Sequence, residues 1–115
     1  MTVEDASVFD SAEAFERVDN DKELFFELVD MFFEDYEEVI KGIEQAITSQ
    51  ESKPLEERAH SIKSALGNLG AMQAFNLALS LEKSGREESV DGVSGVFEQL
   101  KASVAAFKEE ADKHR

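Results

Sequence analysis

The chemistry in this chain starts at His60. An imidazole nitrogen is a nucleophile that can hold a phosphoryl group as a labile phosphoramidate. Moving such a group needs mainly positioning and neutralisation of its equatorial oxygens. Lys63, three residues on, would supply a cation and hydrogen-bond donors from one turn away. A lone histidine on a helix is more often a core or surface residue with no task, so the phase of the helix around it matters.

Leu55, Ala59, Ile62, Leu66 and Leu69 define a core face for the segment that carries His60. At about 100° per residue with Ile62 at zero, His60 falls roughly 160° away, on the opposite side. Lys63 sits at its flank, near 100°. Ser64, Gly67 and Ala71 share the histidine's side, and all three are small. Gly67 inside a helix costs about 1 kcal/mol relative to Ala, with no turn at that position to justify it. The surface around the imidazole is therefore expected to be low and open, so that a partner's backbone can approach closely.

Five helices are expected to position these groups. A short one runs from about Ser11 to Val18, and Phe9 and Phe15 would pack it onto a larger body. Asn20 reads as an N-cap, with Glu23 completing a capping box. A long helix follows from about Asp21 to Ser49, with Phe25, Leu28, Phe32, Tyr36, Val39, Ile43 and Ala46 as one buried stripe. Phe26, Met31 and Phe33 lie off that stripe. The histidine helix runs from about Pro54, a residue suited to the first helical position, to Leu69, with Gly70 as its stop. The next runs from about Ala71 to Ser84 and ends at Gly85, with Ala71, Ala74, Phe75, Ala78 and Leu81 as its stripe. The last runs from about Val90 to Lys113 on Val93, Phe97, Leu100, Val104, Phe107 and Ala111. Four long amphipathic helices with short connections predict an all-α, antiparallel up-down four-helix bundle with a short extra N-terminal helix. Residues 1–115 are expected to form one domain, with no repeat.

Composition narrows the function classes. Apolar residues make up 42% of the chain, enough for a packed core. The formal net charge of −14 repels phosphate backbones and anionic bilayers, against nucleic acid and membrane partners. It suits a partner with a basic rim. There is no cysteine, which removes disulfides and thiolate sites. No stretch approaches the roughly 20 apolar residues of a membrane span. Met1 to Asp5 has neither a basic nor an apolar signal-peptide region.

Asp19-Asn20-Asp21-Lys22-Glu23 starts like a calcium loop, but Leu24 stands where the loop needs glycine, so an EF-hand is rejected. Glu34, Asp35, Glu37 and Glu38 read as a solvated face. His114 sits in a tail, and no second histidine has ligand spacing to His60. There is no Gly-rich phosphate loop. The chain is too short to add an ATP-binding kinase domain, so it should not phosphorylate itself from ATP.

The run Ala59-His60-Ser61-Ile62-Lys63-Ser64-Ala65-Leu66-Gly67-Asn68-Leu69-Gly70-Ala71 resembles the signature of the histidine-containing phosphotransfer (HPt) family, roughly A-H-x-L-K-G, small residues, then L-G. Leu81-Glu82-Lys83-Ser84-Gly85-Arg86 is similar to that family's later L-E-x-x-G-R segment. Phe9-Asp10 and Asn20-Asp21 look like it as well. Ser64 departs from the usual glycine after the lysine; being small, it should still permit docking.

The resemblance implies that His60 carries a phosphoryl group on Nε2, with Lys63 beside the phosphate. Ser64, Gly67 and Ala71 would line the docking face, with Gly67 keeping it clear. Glu82 would accept a hydrogen bond from Nδ1–H and fix the tautomer, or else be a solvated charge.

The expected function is that of a cytoplasmic, monomeric phosphorelay carrier. It would exchange a phosphoryl group between His60 and the aspartate of a response-regulator receiver domain, in a pathway fed by a sensor histidine kinase or hybrid kinase. It would hold no cofactor of its own, and Mg²⁺ would sit on the receiver. The docking surface would combine the exposed side of the histidine helix with part of the long helix before it. The alternatives are a binding-only adaptor of a receiver domain, without phosphotransfer, and a purely structural bundle.

Overall fold

The computed structural model describes residues 7–115, and these form five helices with no strand among them. Residues 1–5, read above as carrying no leader pattern, lie outside the described residues. The helices are α1 (Ser11–Arg17), α2 (Lys22–Thr48), α3 (Ser52–Asn68), α4 (Met72–Arg86) and α5 (Val93–Asp112). In packing, α3 lies against α4 and α2, and α4 lies against α5.

The caps explain where the helices begin. Asp10 caps α1 by accepting from the Glu13 amide. Asp21, not Asn20, caps α2, accepting from the Leu24 amide at 3.0 Å. Asp19 and Asn20 instead take left-handed backbone angles, φ 53° and 62°, which short polar side chains tolerate. An N-cap needs an extended backbone, so Asn20 cannot serve. Helix α3 starts two residues before Pro54. Proline fits there because the first turn has no intrahelical use for its missing N–H.

Gly70 ends α3 as expected, with φ 77°. A side chain there would also strike the Asp10 carbonyl oxygen, 2.7 Å from an ideal Cβ. The segment before α1 is laid across this turn by two backbone bonds, Asp10 N–H to Gly70 O and Gln73 N–H to Ser7 O. Gly85 is not a helix stop. It lies inside α4, where an added Cβ would sit 2.6 Å from the Glu56 amide nitrogen and 2.8 Å from the Ser52 carbonyl oxygen. This glycine serves the close crossing of α3 and α4. Helix α5 starts three residues later than expected, after Gly92 at φ 78°.

The core gathers Leu55, Ala59, Ile62 and Leu66 of α3, Ala74, Leu77, Ala78 and Leu81 of α4, and Val93, Phe97, Leu100, Val104 and Phe107 of α5. Phe9, Phe15, Phe25 and Phe107 cluster with ring centroids 5.1–6.1 Å apart, fixing α1 to the end of the molecule. The α2 stripe is only partly buried. Phe25, Ile43 and Ala46 are covered, but Leu28 is 38% exposed, and Phe32, Tyr36 and Val39 are half-buried. Phe26 and Val29 are buried instead. Periodicity finds residues that share a face; which part of a 27-residue helix is covered depends on its shorter neighbours.

Candidate functional site

Helix α3 carries His60 outward, with its side chain 60% exposed, while Ile62 is 3% exposed. Helix α4 brings Glu82 up beside it from below. Glu82 is 4% exposed, so it is no solvated charge. Its Oε2 lies 2.9 Å from His60 Nδ1. Lys63 Nζ lies 2.6 Å from the other oxygen, Oε1. That contact is ionic rather than a directed hydrogen bond, and no other donor reaches Oε1.

Burial pushes the Glu82 carboxyl up, but the Lys63 ammonium and the His60 ring together outweigh it and hold the group below its ordinary range. The carboxylate is therefore ionised and can only accept. Nδ1 must then carry the proton of this hydrogen bond, which in the neutral ring leaves the lone pair on Nε2. A nucleophilic nitrogen is thus held at the surface by a charge buried beneath it.

Two residues to which sequence reasoning gave no role complete the cluster. Arg86 donates from Nη2 to Glu82 Oε2 at 3.1 Å and from Nε to Glu56 Oε2 at 3.2 Å. Their spacing was a usable signal: Arg86 is four residues after Glu82, and Glu56 is four before His60. A buried carboxylate is expensive unless cations and hydrogen-bond donors surround it. His60, Lys63 and Arg86 do so here.

On the other flank of His60, α2 and α3 bound an open groove of about 320 Å³. Leu28, Met31, Phe32, Tyr36 and Val39 line it from α2, and Ser61, Ile62, Ala65, Asn68 and Leu69 from α3. Met31 is 60% exposed. Burial pushes the Tyr36 hydroxyl up, so it stays a neutral donor in the wall.

The family pattern described as the Hpt domain matches residues 27–110. The chain belongs to the Hpt domain family. The Hpt match takes in both flanks of the site, from α2 to Arg86 and beyond. The chain is also similar to the crystal structure of histidine-containing phosphotransfer protein B from Pseudomonas aeruginosa PAO1, with a TM-score of 0.81 and 24% identity over 96% of this chain and 99% of that one. That likeness is one of fold. None of the curated protein sequences compared with the chain matches it.

Within this Hpt domain the expected docking residues separate. Ser64 is exposed one turn from His60, and its hydroxyl donates to the His60 carbonyl at 3.2 Å. Gly67 is not open ground: an added Cβ would lie 3.1 Å from the Phe75 ring, so the glycine makes room for Phe75. Ala71 is fully buried and cannot take part in docking. Its expected placement extended the helical phase beyond Asn68, where α3 ends and the chain turns at Gly70. Among the described residues no cluster of three or more His, Asp or Glu side chains is arranged to hold a metal ion.

Proposed function

We propose that this Hpt domain is a phosphocarrier that exchanges a phosphoryl group between His60 Nε2 and the aspartate of a receiver domain in a two-component phosphorelay. The observation that carries the reading is the pairing of an exposed imidazole with a buried, ionised Glu82 at Nδ1. In the forward step Nε2 attacks the phosphorus of the aspartyl phosphate. The N–P bond forms as the bond to the aspartate oxygen breaks, and the carboxylate leaves. The ring becomes cationic, and Glu82 stabilises it through Nδ1–H. Lys63 turns from Glu82 toward the phosphoryl oxygens, while Arg86 keeps Glu82 paired. The receiver would bring Mg²⁺; this chain would contribute no cofactor of its own.

The groove beside His60 supports a docking surface shared by α2 and α3. The four long helices would form one antiparallel up-down bundle, a reading supported by three consecutive helix packings and short connections. Among the described residues no helix is long and apolar enough to cross a membrane. The carrier would act in the cytoplasm as a monomer, downstream of a sensor or hybrid kinase.

The test charges a receiver domain with a small phosphodonor and Mg²⁺, then adds wild type or His60→Gln. Acid-labile, alkali-stable phosphate is expected on wild type alone. A receiver that binds the chain but never labels it would leave a binding-only adaptor in place of the carrier.

A further inference from the structure

The groove between α2 and α3 has two unlike lips. The α3 lip offers the uncharged Ser61, Ala65 and Asn68, with Arg58 before them as its one charge. The α2 lip is the line Glu27, Met31, Asp35 and Glu38, which steps by four, four and three along one helical face and is exposed throughout. Asp35 lines the groove itself, and Asp35 and Glu38 border the adjoining hollow with Ser61 and Arg58. Among the described residues none of these three carboxylates is in an ion pair. Arg58 stands at the end of the α3 lip with its guanidinium over Gly42 of α2, one cation against three anions.

Resting on the receiver docking in the reading above, we propose that the α2 lip selects the receiver by charge. The fitting partner presents an apolar helix face to Leu28, Met31, Phe32 and Val39. It carries Lys or Arg along the edge that meets Glu27, Asp35 and Glu38, and a neutral edge toward Ser61, Ala65 and Asn68. An exposed apolar groove marks an interaction surface, and a ridge of an amphipathic helix is what such a groove accepts. The one-sided charge then fixes the direction in which the helix lies, and so which end of the partner comes to His60 beyond Ser61. A second copy of this chain is a poor occupant, since the net charge of −14 and the lip itself repel it. Complementary charge at an interface edge acts mainly through association rate and rejection of wrong partners, and salt screens it.

The test uses the full chain and one receiver domain whose exposed apolar helix face is edged by Lys or Arg, together with the same receiver carrying Glu at those positions. Binding is measured at low and moderate salt for wild type, for Asp35→Lys with Glu38→Lys, and for a control of equal charge change outside the groove, Glu87→Lys with Glu109→Lys. The lip variant is expected to lose about tenfold or more in affinity for the basic-edged receiver at low salt, to gain affinity for the Glu-edged one, and to keep its helical content. The control should change little. Equal binding by wild type and the lip variant, or a loss that the control reproduces, overturns the proposal. Phosphorylation of His60 is scored separately. Charge-dependent binding without label keeps this proposal and removes the carrier reading; label on His60 without charge-dependent binding does the reverse.

Discussion

The residue scale turns on Glu82, one carboxylate that holds an imidazole, an ammonium and a guanidinium. Its folded pKa is depressed, so its contribution to stability is fully present above the ordinary glutamate value of about 4.3 and is lost as pH falls through the lower folded value. The difference in unfolding free energy between wild type and Glu82→Gln should therefore begin to shrink as pH falls below the ordinary glutamate value and be lost once pH has passed the lower folded one. Denaturant titrations at a series of pH values read this directly, because the other carboxylates titrate in both proteins. A difference that instead grows as pH falls below the ordinary glutamate value would mean that the carboxyl is held protonated, and the assignment of the proton to Nδ1 would fall with it.

At the scale of elements, the α3–α4 crossing sets the site, and Gly85 sets the crossing. Gly85→Ala would drive a methyl into the backbone of Ser52 and Glu56. Overpacking of this kind costs roughly 1–3 kcal/mol, and backbone atoms yield less readily than side chains. A lower denaturation midpoint is expected, together with slower labelling of His60, since Glu82 and Arg86 flank Gly85 on α4. Unchanged stability would show that the helices can separate freely. The histidine face was legible in advance: Ile62 inward, His60 outward and Lys63 at the flank all follow from a 100° step. Gly85 was read as a stop because a glycine near a helix end has two physical uses, a left-handed turn or a close approach, and local sequence does not separate them. Ala71 was misplaced for a related reason, since a helical phase is meaningless past the residue where the helix ends.

Across the whole molecule, the charge of −14 dominates. Many surface carboxylates are unpaired among the described residues, and the ion pairs present are mostly exposed and worth little each. Self-repulsion should therefore outweigh them. Raising sodium chloride from low to moderate concentration is expected to raise the melting temperature by a few degrees, as screening relieves the repulsion. A melting temperature that falls with salt would instead make the exposed ion pairs net stabilisers.

What the sequence alone determined was periodic and local. Helix number, the core face of α3, the outward histidine and the cation one turn away are consequences of spacing along a single chain segment. Tertiary structure decided everything that depends on two segments meeting. It buried Glu82 under His60, recruited Arg86 and Glu56, seated Phe75 over Gly67 and left the middle of α2 uncovered. Such contacts depend on helix crossings and on how far each neighbour reaches. Residue spacing within one helix carries no information about either.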